Sequence, residues 1–361
     1  MKISRFKLVN FRNYFEADTI FEQGVNLITG TNGQGKTNIV EAIDFLSVGK
    51  SFKTTSDSEL IHFKEKYARI EVNLQRANDQ KEINALITSS GKKITCNGIE
   101  LKKLSELSGM LLCVVFTPED VLFFKDSPSV RRRYIDVNLS SLFKEYMNEL
   151  LKYKNILKER NTLLKENSID LVYLETLEER LCEPQYKIIK FRQKLVEELN
   201  LHVQGIFKEL DHSEKKIEIK YFTFSKEKEY ALFKNTLMNL YKENRDGDMK
   251  RKATSIGIHH DDIKMYMDQK DVGVYASQGQ NRICALSLKL SMFNVIKKYT
   301  NEDAIVILDD VLSELDEAHQ IRLLAKLREF EQVFITCAKE NFRVERCTTY
   351  VIKENKITRR M

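Results

Sequence analysis

The sequence predicts an α/β fold in which strand–loop–helix units at both ends of the chain flank an inserted, mostly helical lobe. Near the N-terminus, an apolar strand over residues 25–29 runs into Gly30, and apolar residues at helical spacing follow over residues 36–46. Near the C-terminus, a buried strand over residues 304–308 precedes a helix over residues 317–330. Between these ends, apolar residues recur mainly at helical spacing.

The other elements are predicted from apolar periodicity and from turn residues. Asn97-Gly98 indicates a hairpin turn, and Pro184 is expected to kink or restart a central helix. We expect strands over residues 2–11, 68–74, 82–87, 93–100, 110–116, 216–224, 263–267 and 333–336, and helices over residues 139–164, 171–181, a further stretch ending at 210, and 280–299.

The order of these elements predicts two lobes. Residues 1–125 and 270–361 form one lobe from both chain ends, and residues 126–269 form the helical lobe with a few added strands. The central helices indicate an antiparallel bundle, because a rod-like coiled coil needs a far longer heptad repeat. Residues 226–252 are the most polar stretch and are expected at the surface.

Composition excludes several classes of protein. The net charge of +6 permits a nucleic-acid partner without arguing for one. The six cysteines form no C-x-x-C pair, which argues against zinc and redox motifs. The longest purely apolar run has seven residues, whereas a bilayer span needs about 20, and the N-terminus lacks a secretory signal. We therefore expect no membrane partner and a cytoplasmic location.

A glycine-rich segment between the first strand and helix matches G-x-x-x-x-G-K-[ST] in full. In such loops, backbone N–H groups and the helix N-terminus surround phosphate oxygens. Lys36 is then expected at the β- and γ-phosphates of ATP, and the Thr37 hydroxyl on Mg²⁺. The predicted phosphate loop comprises Gly30, Thr31, Asn32, Gly33, Gln34, Gly35, Lys36 and Thr37.

Two adjacent carboxylates end the apolar strand over residues 304–308. Paired with a phosphate loop, this pattern indicates that Asp309 holds Mg²⁺, directly or through water. Asp310 is then the residue that orients or deprotonates the attacking water. The alternative is that both acids merely cap a helix.

Two further motifs accompany the acidic pair. One is a loop that precedes a helix and so offers a second anion-binding helix start. The other is an S-x-L-D segment that follows the acids after a short gap. The first motif comprises Ser277, Gln278, Gly279 and Gln280, and the second comprises Ser313, Glu314, Leu315 and Asp316.

In this order, the four motifs resemble the ATPase head of the ABC superfamily, with a P-loop, a mixed β-sheet and helices. In that superfamily the S-x-G-Q loop of one subunit covers the γ-phosphate that its partner holds. The resemblance implies ATP and Mg²⁺ as cofactors, an ATP-dependent homodimer, and nucleotide contacts for the Ser277 loop and for Asp316.

Four further segments resemble the RecF branch of the SMC-like ATPases: residues 8–14, 129–136, 257–262 and 275–282. Membership of the RecF family implies ATP-dependent binding of duplex or gapped DNA in recombinational repair, replication restart and the SOS response. It also implies cooperation with RecO and RecR, which help to load RecA.

Departures from the ABC pattern predict slow hydrolysis suited to a switch, and the family resemblance implies that DNA stimulates it. The second acid is Asp310 rather than glutamate, Thr336-Cys337 stands where a histidine is usual, and only Glu119 or Asp120 lies near the place of a usual glutamine. The alternatives are an ATPase subunit of another ABC-type assembly, such as a transporter, and a scaffold that binds nucleotide without turnover.

Two basic segments are candidates for DNA contacts. Arg131-Arg132-Arg133 forms either a phosphate-binding patch or a salt-bridged helix face, and Lys250-Arg251-Lys252 is more typical of a solvated loop. The pair His259-His260 carries no assigned role.

Overall fold

The computed structural model describes residues 1–77, 79–338 and 345–360. The chain divides into two compact units. Unit 1 comprises Met1–Val121, Gly205–Glu214 and Arg282–Met361, and unit 2 comprises Leu122–Gln204 and Lys215–Asn281. The predicted lobe of residues 1–125 and 270–361 includes positions 78, 339–344 and 361, which lie outside the described residues. Whether the units fold as separate domains with the predicted boundaries stays a prediction.

The described ranges contain fifteen strands and eight helices. The strands are β1 Lys2–Phe11, β2 Tyr14–Ile20, β3 Gly24–Thr29, β4 Tyr67–Gln75, β5 Gln80–Thr88, β6 Gly91–Cys96, β7 Ile99–Glu100, β8 Cys113–Phe116, β9 Ile217–Phe222, β10 Asp262–Met267, β11 Lys270–Asp271, β12 Ile305–Asp309, β13 Gln332–Cys337, β14 Cys347–Lys353 and β15 Lys356–Arg359. The helices are α1 Lys36–Val48, α2 Pro128–Leu142, α3 Lys144–Leu163, α4 Leu171–Asp211, α5 Tyr230–Arg251, α6 Val272–Tyr275, α7 Gln278–Thr300 and α8 Glu317–Leu327.

A mainly parallel sheet in unit 1 has the strand order β15-β14-β3-β13-β12-β8, with β15 antiparallel to β14. Every residue of β12 and β13 is buried, as expected for central strands covered on both faces. Parallel strands deliver their carboxyl ends to one edge. In register, Asp309 of β12 is paired with Thr336 of β13, and Cys337 of β13 with Thr29 of β3.

An antiparallel sheet, also in unit 1, has the order β2-β1-β4-β5-β6-β7. The predicted turn at Asn97-Gly98 is confirmed, since both residues have positive φ (50° and 78°) and join β6 to β7. The single strand expected over residues 93–100 is therefore a short hairpin.

Unit 2 is mostly helical, with a small antiparallel sheet of order β11-β10-β9. Ion pairs join Glu149 to Lys187 and Glu159 to Arg180. The partner numbers in α4 fall as those in α3 rise, so the two helices are antiparallel. The expected α/β architecture with an inserted, mostly helical lobe is confirmed.

The single helix expected over residues 139–164 is wrong. The chain is extended at Phe143 (φ −130°, ψ 107°), which separates α2 from α3. The Phe143 ring packs on Phe191 with centroids 5.3 Å apart. This contact of the half-buried ring favours the break over continuation of the apolar periodicity.

Of the two outcomes expected at Pro184, the restart is wrong, because α4 continues through the proline, and the kink stays a prediction. Proline removes one backbone hydrogen bond, but the neighbouring Leu181, Cys182 and Gln185 are fully buried and hold the turn in place. The polar stretch over residues 226–252 is not simply a surface segment. It contains α5, whose narrow seam of Phe233, Leu237, Tyr241 and Asp248 is buried.

No helix in the described residues combines the length and apolar composition that crossing a membrane requires.

Candidate nucleotide site

The predicted phosphate loop joins β3 to α1 at the carboxyl edge of the parallel sheet. Gly30 and Gly35 have φ values of 152° and 98°, a region that side chains rarely adopt. A Cβ on Gly30 would lie 2.6 Å from the carbonyl oxygen of Ile352, and one on Gly35 would lie 2.8 Å from the Tyr14 ring. Both positions therefore require glycine, as the motif predicts.

Residues distant in sequence hold this loop. Asn13 Nδ2 donates to Asn355 Oδ1 at 2.7 Å, and Asn38 Nδ2 donates to Asn13 Oδ1 at 2.7 Å. The Tyr14 hydroxyl donates to the carbonyl oxygen of Gly35 at 3.2 Å. These side chains fix the loop from the β1–β2 and β14–β15 turns.

The β14–β15 hairpin over residues 347–359 is not among the strands that the sequence predicts. Its turn residues Glu354 and Asn355 both have positive φ (52° and 59°), the geometry of a two-residue hairpin. The Glu354 N–H donates to Gln34 Oε1 at 2.9 Å. Alternating apolar residues before an asparagine turn were the available signal.

Lys36 extends its side chain back along the loop. Its ammonium donates to the carbonyl oxygens of Gly30 at 2.7 Å and Thr31 at 2.9 Å. Only 6% of the residue is exposed. Burial lowers the pKa of Lys36, and the nearby Asp310 and Asp309 carboxylates oppose that shift.

Asp309 ends β12 beside the start of α1. Its Oδ1 accepts hydrogen bonds from the Thr37 hydroxyl at 2.9 Å and from the Thr336 hydroxyl at 2.7 Å. Burial raises the pKa of Asp309, while these two hydrogen bonds act to lower it. The predicted metal residues Thr37 and Asp309 are thus in direct contact.

Asp310 adopts a left-handed backbone conformation (φ 52°). Its N–H donates to the Thr336 hydroxyl oxygen at 2.9 Å. Its Oδ1 is buried and has no hydrogen-bond partner among the described residues. Buried polar atoms are normally paired, so this oxygen marks a place where a ligand or water is expected.

The oxygen donors at this edge fit Mg²⁺. The hydroxyl of Thr37 and the carboxylate of Asp309 are hard ligands, and Mg²⁺ in nucleotide sites takes few protein ligands and completes its shell with phosphate oxygens and water. No cluster of three or more His, Cys, Asp or Glu side chains placed to hold a metal ion occurs in the described part of the chain.

Thr336 joins the two acids of the site, a role that the sequence does not predict. In the sequence, residues 336–337 stand out only as a departure from the usual histidine. The hydroxyl links both acids, because it donates to Asp309 and accepts from Asp310 N–H. The register of β12 with β13, in which Asp309 pairs with Thr336, places it there.

The Ser277 loop belongs to unit 2, whereas the phosphate loop belongs to unit 1. Ser277 and Gln280 form a reciprocal cap at the start of α7. Ser277 N–H donates to Gln280 Oε1 at 3.0 Å, and Gln280 N–H donates to Ser277 Oγ at 3.2 Å. Ser277, Gln278 and Gly279 are exposed, and a Cβ on Gly279 would meet no atom within 4 Å.

Asp316 caps helix α8. Its carboxylate accepts from the His319 N–H at 2.9 Å and contacts His319 Nδ1 at 2.7 Å. The backbone hydrogen bond from His319 lowers the pKa of Asp316. A nucleotide contact for Asp316 stays a prediction.

Asp120, one of the two acids near the place of the usual glutamine, is paired with Lys289. Its Oδ2 also accepts from the Thr117 N–H at 2.7 Å. Lys289 donates a further bond to the carbonyl oxygen of Val115 at 2.7 Å. These contacts occupy Asp120 within unit 1.

In the candidate basic patch at Arg131-Arg132-Arg133, only Arg131 forms an ion pair with a described residue, and Arg133 is exposed. Arg131 is buried and bonds Asp262 through two nitrogens at 2.7 and 2.9 Å. Arg132 donates to the carbonyl oxygen of Asp261 at 2.7 Å. His259 contacts the Tyr153 hydroxyl, and burial lowers the pKa of His259 to about 4.

Comparison with known proteins shows which family the chain resembles. The family model described as the RecF/RecN/SMC N-terminal domain matches residues 2–359. The chain is 37% identical over 360 residues to the DNA replication and repair protein RecF of Clostridium perfringens, covering 99% of this chain and 98% of that protein. It is 34% identical to RecF of Halalkalibacterium halodurans, with both chains fully covered.

Solved structures agree with these relatives. The recombination mediator protein RecF-ATPrS of the RecFOR pathway matches with a TM-score of 0.92 and 36% identity, covering 99% of this chain and 98% of that one. The Smc head domain of Pyrococcus furiosus matches with a TM-score of 0.56 and 17% identity over 99% of this chain and 96% of that one, a likeness of fold alone. By its family model, its relatives and its fold, the chain belongs to the RecF family of P-loop ATPases.

Proposed function

We propose that this protein is an ATP-dependent DNA-binding protein of DNA replication and recombinational repair, acting in the cytoplasm. In the proposed mechanism, ATP drives homodimerisation and the dimer clamps duplex DNA at gaps. There it helps RecO and RecR to load RecA. Two names support this proposal. The curated relatives are named DNA replication and repair protein RecF, and the more similar of the two structures reported above is of the recombination mediator protein RecF-ATPrS in the RecFOR pathway.

One observation carries the nucleotide part of the proposal. Lys36 bonds only backbone carbonyl oxygens, and a buried oxygen of Asp310 lacks a partner among the described residues. A phosphate would supply the negative charge that the Lys36 ammonium lacks. A water would supply the hydrogen-bond donor that the Asp310 oxygen lacks. Lys36 would exchange its carbonyl contacts for β- and γ-phosphate oxygens, and N–H groups of residues 30–37 would surround the phosphates.

Hydrolysis would use the two acids differently. Thr37 and Asp309 would hold Mg²⁺, which when bound neutralises charge on the phosphate oxygens. Asp310 would accept the proton of the water that attacks the γ-phosphorus, while ADP leaves with the bridging oxygen. Asp310 is one methylene shorter than the glutamate usual in ABC heads, which supports slow hydrolysis and a switch rather than a motor.

The exposed Ser277 loop supports a site shared between two subunits. Its residues Ser277, Gln278 and Gly279 offer a hydroxyl and backbone N–H groups at the start of the long helix α7. In the proposed dimer, this loop would meet the γ-phosphate held by the other subunit.

The function is tested by the affinity for duplex DNA of unrelated sequences, measured with ATP and with ADP. We expect tighter binding with ATP and little dependence on sequence, because a clamp closed by ATP contacts phosphates rather than bases. A strong preference for one sequence, or equal affinity with both nucleotides, would contradict the clamp.

Ser277→Arg tests the shared site. The bulky side chain would block closure on a partner, so ATP-dependent dimerisation and hydrolysis should fail while the monomer still binds ATP. Mixing Ser277→Arg with Lys36→Ala should recover part of the hydrolysis, because a mixed dimer contains one intact composite site. Dimer formation is measured in the same samples. Weak ATP binding by the Ser277→Arg monomer would overturn the shared site.

A further inference from the structure

Helix α3 separates its charges between two sides. Its carboxylates Glu149 and Glu159 are turned toward α4, where they pair with Lys187 at 3.0 Å and with Arg180 at 3.7 Å. Two of the three acids of this helix are therefore neutralised along the seam between α3 and α4, whereas the third, Glu145, is exposed and forms no ion pair with a described residue.

The other side of α3 carries lysines and uncharged residues. Lys144, Lys154 and Lys158, with Lys165 in the turn after the helix, are exposed. None of the four forms an ion pair with a described residue. We call these four residues the lysine face.

The arc of the helix surface that carries these lysines contains no acid. At 3.6 residues per turn, the helical members of the lysine face lie within an arc of roughly 80°. The other residues within this arc are Met147, Leu151 and Thr162, and Asn155 borders it; none of them is acidic.

Some other lysines of unit 2 have a carboxylate neighbour. Lys152 lies 3.9 Å from Glu149 and 3.7 Å from Glu183. Lys242 lies 3.9 Å from Glu175, and Lys234 is paired with Glu179. Further exposed lysines of the unit, such as those at 216, 226 and 250, also lack an ion pair with a described residue. The lysine face differs from these scattered residues because its positive charges lie together on one side of a single helix.

The dimensions of the lysine face suit a nucleic-acid backbone. From residue 144 to residue 162 the helix rises about 27 Å, the length of about eight base pairs at 3.4 Å per phosphate along one strand. Lysine, asparagine and threonine side chains are among the groups that contact phosphate and sugar oxygens without reading sequence.

We propose that the lysine face of α3 is a contact surface for the phosphate backbone of duplex DNA. The proposal rests on the proposed DNA-binding function and names the surface that performs it. Each ammonium would displace condensed counterions from a phosphate, so this surface contributes affinity that is independent of sequence and falls with salt.

The test uses the full chain with Lys154, Lys158 and Lys165 changed to glutamine. These residues are exposed, so the fold should be kept, and circular dichroism checks it. With ATP present, affinity for duplex DNA should fall roughly 10- to 30-fold at moderate salt. The slope of log affinity against log salt should shrink by about 0.9 for each phosphate that the variant no longer neutralises.

A matched control changes the paired lysines Lys152, Lys234 and Lys242 to glutamine. This variant has the same net charge and lies in the same unit, and its DNA affinity and salt slope should stay close to those of the unchanged protein. A third variant that combines Lys154→Arg, Lys158→Arg and Lys165→Arg keeps the positive charges. It should bind duplex DNA with the affinity of the unchanged protein.

If the lysine-face variant and the paired-lysine control have the same DNA affinity and the same salt slope, the proposal is overturned, while DNA binding by the protein still stands. Absence of DNA binding by the unchanged protein would instead overturn the proposed function, and the lysine face with it.

Discussion

Two groups of buried charges, one in each unit, differ in how far the protein itself pairs them. In unit 2, the guanidinium of Arg192 is 2% exposed and bonds Asp261 at 2.8 Å, Asp136 at 2.9 Å and the Tyr146 hydroxyl at 3.1 Å. In unit 1, the nearly buried ammonium of Lys36 bonds only carbonyl oxygens, and a buried oxygen of Asp310 has no partner among the described residues.

The difference separates structural charges from functional ones. Removing one member of a saturated buried ion pair leaves an uncompensated charge, so such groups hold the fold. A buried charge that lacks an opposite charge in direct contact contributes little to folding. It instead fits a ligand that brings the missing partners. We expect mutations in the two regions to separate stability from nucleotide chemistry.

Asp310→Asn should produce the largest effect in unit 1. The amide cannot accept a proton from water, so ATP hydrolysis should fall by about 10²- to 10⁴-fold. ATP binding should persist, because Lys36, Thr37 and Asp309 are unchanged, and ATP-bound dimers should accumulate. Single-turnover hydrolysis and gel filtration with ATP measure both effects. Hydrolysis at the unchanged rate would exclude Asp310 as the base.

Arg192→Met should produce the corresponding effect in unit 2, on stability. It leaves the buried carboxylate of Asp261 without its cation, at a cost of about 3–5 kcal/mol in unfolding free energy. Lys36→Met, the matched control in unit 1, should change that free energy by less than about 1 kcal/mol. Urea denaturation without nucleotide gives both values. Equal losses would show that Lys36 is structural too.

A half-buried histidine of unit 2, His259, should make the stability of the protein depend on pH. Burial lowers the pKa of His259 from 6.5 to about 4, so the unfolded chain binds a proton there at a higher pH than the folded chain. Stability is therefore present above about pH 6.5 and lost as pH falls toward 4, by on the order of 1–3 kcal/mol. His259→Gln should flatten this dependence in urea titrations at pH 7 and pH 5. An unchanged slope would contradict the assignment.

Thr336→Val should produce the smallest effect, a loss of about tenfold in the rate of ATP hydrolysis. Valine keeps the shape but leaves the Asp310 N–H unpaired and removes one hydrogen bond to Asp309, each worth about 1 kcal/mol. ATP affinity should change little. Thr336→Ser, which keeps the hydroxyl, should hydrolyse ATP nearly normally. Equal rates for the valine and serine variants would show that the hydroxyl has no positioning role.

The sequence predicted the parts of the site that depend on local order. The loop from Gly30 to Thr37 and the acids after β12 are contiguous motifs, and a parallel sheet brings such strand ends together. Thr336 acts through strand register, and Asn13 meets Asn355 across 342 positions, so neither role can be derived from spacing. The break at Phe143 and the buried seam of α5 likewise depend on packing between distant segments.

Equilibrium binding of labelled ATP to Lys36→Ala tests the central claim most directly. The claim is that the buried charges at the phosphate loop are completed by nucleotide rather than by the protein. The variant should fold with unchanged stability and bind ATP at least about 30-fold more weakly, since removing a charged group from its partner costs roughly 2 kcal/mol or more. Near-normal ATP affinity, or weakened affinity that comes with a destabilised fold, would contradict the account.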